Sequence, residues 1–170
     1  MQSKQLRLIQ APLKERYRQE PQAALVTLKA QGRLGEGVTC KIETGKALAQ
    51  AGLHPATGGD GLSVCSGDLL LEALVACAGV TLSAVATAIG ISVRHGVVRA
   101  EGDLDFRGTL GVSKEVPVGF QHIRLSFDLD SDASEEQLAT LKRLTERYCV
   151  VYQSLRQPPE IEVSLNRSIE

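Results

Sequence analysis

Between Ala73 and Val93 the chain carries no charged residue, and no other stretch constrains its fold as strongly. Asp68 to Gly90 reads DLLLEALVACAGVTLSAVATAIG, with apolar side chains on every face of the helix it predicts. A helix of that kind must be covered all round. Ser66 is the expected N-cap, Asp68 suits the positive end of the helix dipole, and Gly90 is the expected stop. The stretch is long enough to cross a bilayer. Its content is mostly Ala, Gly, Ser and Thr, without a tight flanking aromatic belt or basic cluster, so the expectation is a buried helix in a soluble protein and no membrane partner. Its many small residues permit another helix to approach closely.

The flanking segments predict what covers it. Pro12 to Glu20 reads as a short charged helix, stopped by Pro21. Ala23 to Gln31 and Val38 to Thr44 read as strands of a hairpin joined through GRLGEG, residues 32–37. Gly45 to Ser66 reads as loop and contains His54-Pro55 and Gly58-Gly59-Asp60-Gly61. Val97 to Arg107 alternates, with Val98, Ala100, Leu104 and Phe106 inward, and Phe120 to Asp130 alternates with Ile123, Leu125, Phe127 and Leu129 inward. Ser134 with Gln137 forms a capping-box pattern opening a second long helix, whose buried stripe is Leu138, Leu141, Leu144, Tyr148 and Cys149. Beyond Pro158-Pro159, Ile161, Val163 and Leu165 alternate with polar residues in an expected last strand. The order gives an α+β fold, antiparallel sheet over two core helices.

Several function classes are disfavoured. A net charge of −1 with both signs dispersed, and no Trp, argues against a nucleic-acid partner. GGDG lacks the Lys-Ser/Thr ending of a phosphate loop and the spacing of a dinucleotide fingerprint, so no nucleotide cofactor is expected. Cys40, Cys65, Cys77 and Cys149 have no short paired spacing and His54, His95 and His122 are scattered, so no metal is expected. The N-terminus shows no secretory pattern, which makes the cytoplasm the expected compartment and a structural disulfide framework unexpected.

Cys77 and Cys149 stand 72 residues apart on faces expected to be buried. Residue type leaves two readings open. They are small packed hydrophobes, or one is a thiolate that attacks a peroxide and the other condenses with the resulting sulfenic acid. Cys40 reads as packing. Cys65, just before the helix cap, reads as packing or as an alternative partner for Cys77.

GGDG, then DLLLEALVACAGVTLSAVA, then RYCVVYQSL, in this order, resembles the family of osmotically inducible protein C and the organic hydroperoxide resistance proteins (OsmC/Ohr). The resemblance implies a single domain over residues 1–170, with 1–22 an N-terminal extension carrying a short helix. It implies antiparallel sheets wrapped around two central helices in an intertwined homodimer. It implies a thiol-dependent peroxidase for organic hydroperoxides, serving oxidative-stress defence. Cys77 would be the peroxidatic thiol and Cys149 the resolving one, with a lipoyl-type or thioredoxin-like dithiol as reductant. The chain departs from the family in three places. The family's assisting Glu, ten residues before the first Cys, is Gly67 here. No arginine lies between Arg33 and Arg94 to match the family's Arg, although His54 falls in roughly that region. The Pro-Val that often follows the second Cys is Val150-Val151. These departures support an alternative function, an OsmC-like protein that binds a small apolar ligand without peroxidase activity.

Overall fold

The computed structural model describes residues 50–167 in full, the backbone of 31–34, 39–43 and 48–49, and isolated positions before residue 20. Among the described residues two small sheets lie against a long helix. Strands β1 (Gln31–Leu34), β2 (Thr39–Glu43), β3 (Leu48–Gly52) and β4 (Val64–Cys65) form one sheet in that order. β1–β2 and β2–β3 are antiparallel; β3–β4 is parallel, with Ala51 opposite Val64 and Gly52 opposite Cys65. Helix α1 (Ser66–Ile89) follows, then β5 (His95–Asp103), a short helix α2 (Phe106–Thr109), β6 (His122–Asp130), and helices α3 (Glu135–Tyr148) and α4 (Val150–Arg156). β5 and β6 form a two-stranded antiparallel sheet, His95 opposite Asp130 and Asp103 opposite His122.

The alternation expected in β5 and β6 holds. Val98 and Ala100 face inward, as do Ile123, Leu125, Phe127 and Leu129, while the intervening residues are exposed. The outer face is tied by ion pairs of Arg99 with Asp128 and of Arg124 with Glu101 and Asp103. These pairs lie in water, where screening leaves them little net effect on stability. Their consequence is a wet face that cannot turn inward, which fixes the register. The capping box is present: Gln137 N–H donates to Ser134 Oγ at 3.3 Å and Ser134 N–H to Gln137 Oε1 at 2.8 Å. Gly90 ends α1 at φ +78°, a conformation that favours glycine.

Two clusters form the core. In one, Leu82, Val85, Ala86 and Ile91 pack with Leu141; in the other, Leu74 and Ala78 pack with Cys149. Phe127 touches both. Burial of Leu74 and Leu141, at 2 and 1 % exposure, contributes about 1.5–3 kcal/mol each.

The structure corrects several expectations. α1 is not covered all round by its own chain: Val80 remains 73 % exposed and Ile89 42 %. Its N-cap is Cys65, whose backbone is extended, and Ser66 is already helical. The segment expected as loop before it contains β3, β4 and a 3-10 turn at Pro55–Thr57. Residues 31–34, assigned largely to the hairpin link, form β1. The stretch 23–30, Lys46, nearly all of the Pro12–Glu20 helix and the side chain of Cys40 lie outside the described residues. β5 ends at Asp103 because Asp105 caps α2, accepting from Arg107 N–H at 3.0 Å. Tyr148 is exposed, and Thr145 takes its place in the α3 stripe. Residues 157–167 are not a strand, and no strand among the described residues pairs with them; Ile161, Val163 and Leu165 are exposed.

Candidate functional site: a thiol pair at a helix junction

The site forms where α1 meets the break between α3 and α4. Cys149 is at once the C-cap of α3 and the N-cap of α4, with an extended backbone at ψ 110°. Its N–H donates to the Thr145 carbonyl and its carbonyl accepts from Gln153 N–H, both at 2.9 Å, so both helices end on it. A break leaves carbonyls of the first helix without partners. The Gln153 side chain answers one of them, donating through Nε2 to the Glu146 carbonyl at 2.6 Å and holding α4 against α3.

On α1, Leu74, Cys77 and Ala78 lie three and four residues apart and share a face. Ala78 is fully buried, and its small side chain lets the start of α4 approach closely. Cys77 thereby packs against the cluster of Leu74, Ala78 and Cys149, as do Val151 and Tyr152. The two cysteines that the sequence placed 72 residues apart share one packed cluster, close enough for each to shift the other's proton affinity. Both are free thiols in this structure.

Their environments push them in opposite directions. Burial opposes ionisation of Cys77. The N–H of Val151, the thiol of Cys149, the N–H of Val150 and the hydroxyl of Thr81 together outweigh it, and the Cys77 pKa falls below the ordinary thiol value. Cys149 is 1 % exposed; burial raises its pKa first, and the neighbouring Cys77 adds to the rise against the N–H groups of Tyr152 and Val151. One sulfur is prepared to be a thiolate and the other to stay a thiol, the asymmetry that attack and resolution require.

No cation takes part among the described residues. The sequence shows Cys77 lying deep inside its own helix, where that helix's dipole has little effect. The stabilising N–H groups come from α4, a different helix. Val150 stands where the related family often has proline, and a proline would lack that N–H. Thr81, one turn after Cys77, is a further residue the sequence reading passed over. The i, i+4 spacing was its signal. Ser83, Thr87 and Thr145 all bond the carbonyl four residues back, whereas Thr81, four residues after Cys77, favours the Cys77 thiolate.

The other expected participants lie elsewhere. Asp68 and Glu72 are exposed and not among the groups that bond Cys77. His54 caps the Pro55–Thr57 turn, its Nδ1 accepting from Ala56 N–H at 3.0 Å, and stacks on Phe106 with ring centres 4.9 Å apart. A Cβ at Gly67 would sit 3.4 Å from Phe120 Cζ, so Phe120 fills the space beside the position of the family's Glu. Cys65 precedes α1 while Cys77 is its twelfth residue, a separation of about 18 Å along the axis at 1.5 Å per residue. Within one chain Cys65 is therefore no partner for Cys77; it packs near Gly67.

The long helix flanked by small sheets, with two of the chain's four cysteines brought together at a helix break, puts the chain in the α+β class. The family described as OsmC-like protein matches residues 58–164, and the chain belongs to that family. Among solved structures it is similar to an OsmC-like protein from Mycoplasma pneumoniae, at 16 % identity and TM-score 0.66, covering 78 % of this chain and 89 % of that one. An organic hydroperoxide resistance protein from Elizabethkingia anophelis is 15 % identical, with TM-score 0.64 and coverage of 79 and 91 %. The organic hydroperoxide resistance protein of Bacillus subtilis is 19 % identical, with TM-score 0.54 and coverage of 79 and 94 %. At these identities the likeness is one of fold. No curated protein matches the sequence.

Proposed function

We propose that this protein is a thiol-dependent reductase of organic hydroperoxides. The observation that carries the reading is the contact between Cys77 and Cys149 with their pKa values displaced in opposite directions. The Cys77 thiolate attacks one peroxide oxygen. The O–O bond breaks, the alcohol leaves with a proton, and Cys77 becomes a sulfenic acid. Cys149 then attacks the Cys77 sulfur, forming the disulfide and releasing water. A dithiol reductant returns both to thiols. The names of the hydroperoxide-resistance neighbours support the substrate class. With a dithiol donor, the protein is expected to consume cumene hydroperoxide faster than hydrogen peroxide. Equal, background-level rates with both would contradict the reading and favour an apolar-ligand binder on the same scaffold.

The working unit we propose is a homodimer of single-domain chains, residues 1–170, in the cytoplasm. α1 is long and apolar enough to cross a membrane, yet only 22 % of its apolar window is buried in one chain. Val80, Ile89, Tyr148 and Val150 are exposed on α1 and its neighbours, and a second copy of α1 is the cover we assign to this face. The wild-type protein is then expected to sediment at twice the chain mass, and Val80→Glu to shift it to the monomer, since an unpaired carboxylate is disfavoured in an apolar interface. A monomeric wild type would contradict the assembly.

A further inference from the structure

In a continuous helix each N–H donates to the carbonyl four residues back. Applied through RYCVVYQSL, that rule would send the Val150 N–H to the Glu146 carbonyl and the Val151 N–H to the Arg147 carbonyl. The chain keeps to it as far as Cys149, whose N–H donates to the Thr145 carbonyl at 2.9 Å. One residue later the pattern changes. The Glu146 carbonyl accepts from the Gln153 side chain, at 2.6 Å from Nε2. Resting on the reading of Cys77 as the reacting thiol, we propose that Gln153 is a positioning residue for it. The Gln153 amide occupies the carbonyl that would otherwise capture the Val150 N–H, and so leaves that N–H available to Cys77.

The surroundings of the break fit this exchange. Neither Gly nor Pro stops α3 here, so other contacts must keep the chain from running on as one helix. Val150 is 68 % exposed, and its own side chain does little to hold it. Val151 and Tyr152 pack on the cluster around Cys149, which anchors α4 from one side. Gln153 anchors it from the other. Its N–H donates to the Cys149 carbonyl at 2.9 Å, and its side chain reaches seven residues back across the break. Gln153 and Glu146 are both half-buried, so water is a poor replacement for the amide on that carbonyl. Without the amide, the carbonyl regains its partner by taking the Val150 N–H, and one of the groups that favour the Cys77 thiolate is withdrawn.

Charge does not enter the exchange. The groups that shift Cys77 are the N–H groups of Val150 and Val151, the Cys149 thiol and the Thr81 hydroxyl, besides burial itself. Asp68 and Glu72 on α1, Lys142, Glu146 and Arg156 on α3 and α4, and the outward charges of β5 and β6 are not among them. Gln153 is neutral, and so is any apolar replacement.

The test measures alkylation of Cys77 by iodoacetamide across pH, read by peptide mapping of the reduced full-length protein. The variants are Gln153→Met, Gln153→Leu, Val150→Pro and the double variant Gln153→Met, Val150→Pro. Met and Leu are close to Gln in size and helix propensity and lack its donor, so circular dichroism should match the wild type. Both Gln153 variants are expected to alkylate Cys77 about threefold more slowly at pH 7. At alkaline pH, where the thiol is fully ionised, their rates should meet that of the wild type. Val150→Pro has no N–H for the Glu146 carbonyl to capture, so adding Gln153→Met should leave the rate nearly that of Val150→Pro alone. Unchanged profiles in both Gln153 variants overturn the inference. So does slowing that persists at alkaline pH, which marks lost packing, and so does a threefold loss repeated in the Val150→Pro background. Iodoacetamide needs no peroxide, so these outcomes do not depend on turnover. A wild type that consumes no hydroperoxide but shows the expected profiles removes the peroxidase reading and leaves the role of Gln153 standing.

Discussion

Cys77→Ser is expected to lower hydroperoxide turnover by roughly 10³-fold or more, because a serine hydroxyl at neutral pH has no thiolate-like nucleophile to offer. The substitution is nearly isosteric at a half-buried position, so the fold is expected to persist and circular dichroism to match the wild type. Cys149→Ser has a different signature. Cys77 keeps its α4 N–H donors, so one equivalent of hydroperoxide is still consumed, but no disulfide forms and catalysis stops after the first turnover. A Cys77→Ser protein with wild-type turnover would remove Cys77 from the reaction. Repeated turnover by Cys149→Ser would remove Cys149 as the resolving thiol.

Val150→Pro carries the second large effect. Val150 is the first residue of α4, and Cys149 before it is already extended at φ −74° and ψ 110°. Proline fits the first helical position and tolerates such a predecessor, so α4 is expected to survive. What is lost is one N–H that stabilises the Cys77 thiolate. Removing a donor from an anion raises its pKa, so less thiolate is present at any pH below it and the reactivity profile moves to higher pH. A hydrogen bond to a charged group is worth about 1.5 kcal/mol, and on that scale alkylation of Cys77 at pH 7 should slow by about tenfold. Val150→Ala keeps the N–H and should stay near the wild-type rate. If Val150→Pro and wild type alkylate alike across pH, the start of α4 is not what activates Cys77.

The unequal legibility of this fold has physical causes. α1 and the β5–β6 pair follow from strong local patterns: an uncharged run at 73–93 and strict alternation in 120–130. The meeting of Cys77 with Cys149 is a tertiary fact that spacing cannot reveal, and the family resemblance supplied it. The break at Cys149 has no local mark, since neither Gly nor Pro interrupts RYCVVYQSL and the stripe of α3 runs on through it. A lowered thiol pKa suggests a cation close to Cys77 along the chain. The donors are instead backbone N–H groups, which every residue but proline carries, so no side chain announced them. β3 was hidden because Leu48–Gly52, LAQAG, has none of the β-branched residues that mark strands. Ile161, Val163 and Leu165 show the opposite case, a strand pattern without a pairing edge among the described residues.

The measurement that bears most directly on the account is the thiol state of the wild-type protein after one equivalent of cumene hydroperoxide, read by non-reducing peptide mapping. The account predicts a single new cross-link joining the peptides of Cys77 and Cys149, with Cys65 still a free thiol. Four intact thiols, or a cross-link that leaves out Cys77, would contradict it.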